Sequence, residues 1–371
     1  MTAEQLLKII EPIEAIYINA TAEIEIKLAE HFKSDKDKSL LDWQIAKSLE
    51  SAQFQKEVNA IIQNNTKSLK VKTSAVFKEA ITTQLEANEQ VYKELDVLPL
   101  DESPAVNSVS ENNQKDLLYK FGLISMMLLI YSNTTYQTFI QNVTQFEEVN
   151  KNFDLVREKA IREATKKLSK DSIPVFIDKA GRKWSAEAYI NMITRTTLHN
   201  TAIEAERARA MELNCNTFQI SSHTGARPLC EPYQGKFYSW LAGDSGTIQT
   251  GSGERIEYDS IYNTSYGEPA GIFGINCRHS PMTFISGFST PKYEVIDKEE
   301  NDKVYKLTQQ QRQLERSVRQ AKITNLMLEK NGTLQESDIL KLKNKQRTYK
   351  EFCEENNRAV RPDRLQIFIK E

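Results

Sequence analysis

The sequence predicts an α-rich α+β protein: a helical N-terminal half, a small glycine-rich α/β module in the middle, and a C-terminal helical hairpin. Three observations carry this reading. Residues 1–120 contain no glycine and repeat apolar side chains at helical spacing. Ten of the thirteen glycines fall between Gly225 and Gly287, among short apolar pieces. After Pro291 the apolar positions return to an alternating four-three spacing. A chain of 371 residues holds about two or three folding units. Composition places the boundaries so that 1–110 is an N-terminal helical region, 111–172 a helical connector, 173–290 the central module and 291–371 the hairpin.

The elements follow in order. Leu6, Ile9, Ile10 and Ile13 define a first helix, with Pro12 as a point where it could kink, and a second amphipathic stretch runs from Leu41 to Ile62. Residues 97–114 hold two prolines, several serines and asparagines and little periodicity, which predicts a loop. Helices resume from Asp116 to Leu168, ending in a charged segment whose Val156, Ala160, Ile161 and Ala164 form a narrow apolar stripe. Residues 173–184 (IPVFIDKAGRKW) alternate around a Lys-Ala-Gly turn and predict a small hairpin. A helix then starts near Ser185, an N-cap with Glu187 in the first turn, and runs to about Leu213.

The module that follows offers Thr217 to Ile220, Lys236 to Trp240 and Met282 to Ile285 as short strands separated by turn-forming residues. So loop-rich a segment buries little apolar surface, so it needs cohesion from a docked helix or a bound ion. Beyond it, Leu307, Gln311, Leu314, Val318, Ala321, Asn325 and Leu328 form a helical seam, which Asn331-Gly332 ends. Ile339, Leu342, Gln346, Tyr349 and Cys353 form a second seam, so the two helices fold back on each other.

Forty-nine basic and fifty-one acidic residues give a net charge of -2, which argues against a protein that coats nucleic acid or an anionic membrane as a whole. Residues 303–350 are the local exception, with twelve basic and four acidic side chains. Arg312, Arg316 and Arg319 share one face there, with Lys322 beside them. The run reads either as a solvated face or as a contact with DNA phosphates or an acidic protein. Four cysteines and no secretory signal point to a reducing compartment. The longest apolar run, Phe121 to Tyr131, is short of the ~20 residues that span a bilayer, so it reads as a buried helix and no membrane role is expected.

Chemistry concentrates in the glycine-rich segment. His223 and Cys230 (SSHTGARPLC) and Cys277 and His279 (NCRH) are a complete tetrahedral donor set for zinc, and four protein ligands leave no open position, so such a site is structural. The spacing is unusual, with one residue between Cys277 and His279. Two other readings stay open. The cysteines could be small buried hydrophobes beside histidines that satisfy loop backbone, or Cys230 or Cys277 could be a nucleophile with His223 or His279 as base and Asn276 or Asp259 as orienting group. The glycines at 243–246 and 251–253 lack the following Lys-Ser or Lys-Thr of a phosphate loop. Glu204 and Glu206 lie two apart on a helix and read as solvated.

The segments TRTTLHNTAIEAERARAMEL, ISSHTGARPLCEPYQGKFYSW and YNTSYGEPAGIFGINCRHSPMTFISGFS, with the later QQQRQLERSVRQAK, resemble the phage minor capsid protein 2 family, related to the Mu F-like head-morphogenesis proteins. The resemblance implies a structural protein and no enzyme. It would be made in the host cytoplasm and built in multiple copies into the virion, at the portal vertex or capsid interior, with a part in head assembly or genome ejection. Implied partners are the portal protein, the major capsid protein or both, and packaged double-stranded DNA at the basic face. Related head proteins show paired cysteines before the QGK-like turn and a Cys-Arg-Cys at the end. His223 and Cys230, and Cys277 and His279, occupy those neighbourhoods here, and histidine for cysteine keeps a good zinc donor. One structural zinc is the only cofactor expected. The alternative function is a Cys-His hydrolase or toxin-like effector carried on a head-protein module.

Overall fold

A computed structural model describes residues 1–33, 38–94, 103–150, 153–179, 181–212 and 214–367. Among these, the helices are α1 (Ala3–His31), α2 (Leu40–Thr66), α3 (Leu69–Glu94), α4 (Pro104–Asn150), α5 (Phe153–Asp171), α6 (Ala186–Glu212), α7 (Lys298–Lys330) and α8 (Glu336–Glu355). The strands are β1 (Pro174–Ile177), β2 (Lys183–Ser185), β3 (Thr217–Ile220), β4 (Phe237–Ser239), β5 (Gly246–Gln249), β6 (Arg255–Ser260) and β7 (Pro281–Thr283). The protein is therefore α-rich α+β, with the strands confined to the short hairpin and the glycine-rich module.

Local chemistry explains the element ends. Ser185 caps α6, its Oγ accepting the backbone N–H of Ala188 at 3.3 Å. The side chain of Glu187, the backbone of Ala180 in the hairpin turn, and Leu213 at the expected helix end lie outside the described residues. α1 continues through Pro12. The loop expected over 97–114 is corrected: residues 97–102 are outside the described set, and from Pro104 onward the chain is helical. Ser103 is the cap, its Oγ accepting from Val106 N at 3.3 Å, and proline is at home in a first helical turn. The serines and asparagines that suggested a loop lie along a continuous, largely exposed helical surface.

The residues group into two compact units, each assembled from three separated segments. This grouping cuts across the blocks drawn from composition. α1, α4, α6 and α7 each contribute residues to both units, and a change of composition marks a change of local structure, not of packing partners.

The first unit comprises Met1–Ile13, Lys70–Tyr119 and Asn191–Thr308. Its sheet has the order β5-β6-β4-β3-β7, antiparallel throughout except for the β4–β6 pair. Phe218 of β3 stacks on Trp240 with ring centroids 4.1 Å apart, and Ile203 of α6, Ile220, Ile261, Ile272 and Phe273 complete that core. Glu206, expected on the surface, is fully buried. Its Oε1 accepts from the Thr283 backbone N–H (3.1 Å) and hydroxyl (2.7 Å), which ties β7 to α6; Glu204 is exposed and accepts from Asn113.

The second unit comprises Glu14–Leu69, Lys120–Ile190 and Gln309–Glu371. Its aromatic centre places Phe32 against Phe139 (4.1 Å) and Tyr136 (4.7 Å), with Phe54 4.8 Å from Tyr136. α7 and α8 meet through Val318, Tyr349 and Cys353, with Leu314 and Leu342 alongside, as the two seams predict; Ile339 instead is exposed. In β1–β2 the Asp178 carboxylate accepts from the backbone and guanidinium of Arg182 and the indole of Trp184, and these bonds hold it down to about 2. The apolar run in α4 is only half-buried: Phe121, Ile124 and Leu128 face the core, and Leu123, Met126 and Ile130 are exposed. Among the described residues α4 is long and apolar enough to cross a membrane by length and composition, a test that core helices also pass.

Candidate metal centre

Three of the four expected donors come together in the first unit. Cys230 ends a turn closed by its own N–H on the Arg227 carbonyl (2.8 Å) and precedes the single helical turn Glu231–Tyr233. Cys277 follows a tight loop in which its N–H bonds the Gly274 carbonyl at 3.0 Å. A Cβ on Gly274 would lie 2.7 Å from the Glu268 and Pro269 carbonyl oxygens, so only glycine lets the chain pass there. His279 stands just before β7, where the Ser221 N–H bonds the Ser280 carbonyl (2.9 Å). Sheet pairing and loop closure, not sequence proximity, bring residues 230 and 277 together.

The Cys230 and Cys277 sulfurs are 4.0 Å apart, and the Cys277 sulfur is 3.5 Å from His279 Nδ1. One donor atom from each of Cys230, Cys277 and His279 lies within 4.8 Å of the other two, and all three residues are buried. The two thiols behave as a pair. The hydrogen bond with Cys277 and burial hold the proton on Cys230. Burial pushes the Cys277 thiol up, but the hydrogen bonds from Cys230 and His279 outweigh it and hold it well below its ordinary value. His279 Nε2 in turn meets Gln234 Oε1 at 3.2 Å.

His223, the fourth expected donor, stacks its ring on that of His279, centroids 4.4 Å apart and planes 24° apart. Its Nδ1 is 3.1 Å from the Thr224 carbonyl, and its buried Nε2 has no partner. The backbone N–H of His223 bonds Gln234 Oε1 (3.1 Å), so one amide oxygen links the His279 imidazole to the His223 backbone. Burial pushes the His223 imidazole down to about 4.

Sequence reasoning missed two residues of this centre. His199 of α6 is buried, its ring bonds the His279 backbone and its Nε2 lacks a partner. Burial pushes it down to about 4, and it lies within electrostatic range of Cys277 and His279. The signal was available, because His199 shares the helical face of Ala202, Ile203 and Glu206, all buried. Gln234 carried no signal of its own beyond its place before a turn glycine.

As chemistry, Cys277, His279 and Gln234 have the order of a thiolate, an imidazole and an orienting amide. Of the orienting groups considered from sequence, the Asp259 carboxylate instead accepts from the Ser260 backbone and the Asn263 amide, and Asn276 is held by its backbone N–H on the Thr196 hydroxyl. The two sulfur residues are only 1% and 2% exposed, so both belong to the interior of the module. The donor set itself, two thiols and imidazoles without a carboxylate, suits zinc.

The basic face of α7 is partly committed within its own unit. Arg319 donates to the Arg364 carbonyl (2.7 Å) and Lys322 to the Leu365 carbonyl (2.6 Å), so both pin the C-terminal segment. Arg312 is half-buried, and Arg316 is exposed.

Comparisons with known proteins place the chain among phage structural proteins. A family model for phage minor capsid protein 2 matches residues 1–354. A structural protein of Lactococcus phage LL-H is 33% identical over 146 residues, 39% of this chain and 38% of that protein. A structural protein of Lactococcus phage mv4 is 36% identical over 76 residues, 20% of this chain and 62% of that protein. The chain thus matches less than two thirds of the length of either relative. No solved structure matches. The class these findings define is a phage structural protein. Within it, the chain belongs to the phage minor capsid protein 2 family.

Proposed function

We propose that the protein is a minor structural component of a phage head, docked through its helices on the portal or the inner capsid and contributing to head assembly or genome ejection. The observation that carries this reading is the family match over nearly the whole chain. Two surface features support docking through helices. α2 displays Leu41, Ile45 and Leu49 at four-residue spacing, and α4 displays Leu123, Met126 and Ile130, both as exposed apolar stripes. Arg316 adds an exposed cation suited to packaged DNA or an acidic partner.

The test is to locate the chain in purified particles by labelling and to repeat it with heads assembled without portal. Portal docking predicts loss of the chain from portal-free heads, inner-capsid docking predicts retention, and absence from all heads refutes the reading. Replacing Arg312, Arg316 and Arg319 with glutamine should weaken incorporation. Arg316→Gln alone is the cleaner variant, since it leaves the contacts of Arg319 intact; unchanged incorporation removes the basic face from the docking surface.

A further inference from the structure

We propose that Cys230, Cys277, His279 and His223 bind one Zn2+ in a closed tetrahedral site that cross-links the loops of the glycine-rich module. The inference is independent of docking and rests on geometry. A zinc ion with bonds of ~2.3 Å to sulfur and ~2.0–2.1 Å to nitrogen, at tetrahedral angles, separates two sulfurs by about 3.8 Å and a sulfur and a nitrogen by about 3.5 Å. The observed separations are 4.0 Å for Cys230–Cys277 and 3.5 Å for Cys277–His279. Two edges of the tetrahedron thus match, and the Cys230–His279 edge closes the triangle within 4.8 Å.

The surroundings match what a ligating imidazole requires, which is a polar partner on the nitrogen that does not bind metal. His279 presents Nδ1 to the sulfur and has Gln234 on Nε2; His223 has the Thr224 carbonyl at Nδ1, which leaves Nε2 as its ligand atom. That Nε2 is buried and without a partner, a state that native interiors rarely leave unexplained. His223 stacks on the face of His279, centroids 4.4 Å apart, and the proposal assigns its Nε2 to the fourth corner. No carboxylate belongs to the set, which disfavours magnesium and calcium.

On binding, two zinc–sulfur bonds form as the cysteines give up their thiol protons to solvent, while the neutral imidazoles donate lone pairs. Two thiolates balance the ion's double charge, so the filled site is neutral, as a buried site needs to be. The module gains a covalent-strength tie between the turn at Cys230, the loop at Cys277 and the segment carrying His223.

The test uses the untagged full chain, purified under reducing conditions and dialysed against metal-free buffer. Elemental analysis should find about one zinc per chain. Replacing the metal with Co2+ should give the strong visible absorption of a tetrahedral sulfur–nitrogen site, a readout that needs no variant. Cys277→Ser should abolish binding. In competition with a chromophoric chelator, His223→Ala should weaken zinc binding at least tenfold while His199→Gln leaves it within a few-fold. A metal-free chain with no cobalt spectrum overturns the proposal, as does a chain lighter by two hydrogens through a Cys230–Cys277 disulfide. Zinc lost in His199→Gln but kept in His223→Ala overturns the quartet by moving the fourth donor to α6.

Discussion

Arg162 of α5 holds the start of α8 in place, and removing it should be costly. Its guanidinium lies 2.5 Å from Asp338 Oδ2 and donates to the Thr333 carbonyl at 2.7 Å, and both charged side chains are buried. Asp338 Oδ2 also accepts the Gln335 N–H at 3.2 Å, closing the capping box of α8. Arg162→Met keeps much of the buried volume but strands a carboxylate and a carbonyl away from water. Breaking one side of a buried pair costs about 3–5 kcal/mol. At about 2–4 °C per kcal/mol this lowers the melting midpoint by about 6–20 °C. Asp338→Asn retains an acceptor for the cap, so the double variant should be less destabilised than the sum of the singles, with a coupling of about 1–3 kcal/mol. Urea denaturation followed by far-ultraviolet ellipticity gives the cycle, and amide exchange across Glu336–Glu355 shows where the loss occurs. A single variant within about 0.5 kcal/mol of the parent, or a coupling near zero, would refute the reasoning.

Burial pushes Tyr17 up to about 12, so the native phenol keeps its proton where the unfolded chain loses one above about pH 10. Its contribution, about 3 kcal/mol, is complete below pH 10 and is lost as pH rises to 12; Tyr17→Phe should flatten that part of the stability profile, and an unchanged slope contradicts the assignment. Gln219 bonds four backbone groups, donating to the Gly235 and Tyr293 carbonyls and accepting from the Lys292 and Tyr293 N–H groups. Gln219→Met should therefore cost at least about 2 kcal/mol and speed amide exchange at 292–293, whereas a neutral effect would mean that water replaces the amide. Gly235 has φ of +76°, and a Cβ there would meet the Glu294 backbone at 2.8 Å. Gly235→Ala should lower the free energy of unfolding by more than the roughly 1 kcal/mol that left-handed strain alone costs, and a smaller loss would show that residue 294 yields.

Much of this fold was legible in the residues, for reasons that differ by element. Periodicity identified α2 and the α7–α8 seams because Trp43, Phe54, Val58, Val318 and Tyr349 are buried on one side of each helix. Punctuation misled at 103–114, where Ser103-Pro104 is a helix start and the polar residues beyond it are exposed or half-buried on the helix surface. Glu206 was misread because spacing says which face a residue occupies but not that Thr283 will offer it two donors. The candidate site was legible as a list of donors. The two neighbours of those donors that the reading missed, His199 and Gln234, come from other elements, and only the folded chain brings α6 and the turn before Gly235 against His279.

Each compact unit draws on both early and late parts of the polypeptide, since one needs Met1–Ile13 with Asn191–Thr308 and the other needs Gln309–Glu371. During synthesis at ~5–20 residues per second, the earliest helix therefore waits roughly 15–60 seconds for partners that the ribosome has not yet made. Neither unit can be excised as a contiguous fragment. Shortened versions of the gene, however cleanly they follow changes in composition, should yield chains that lean on chaperones instead of miniature copies of either half.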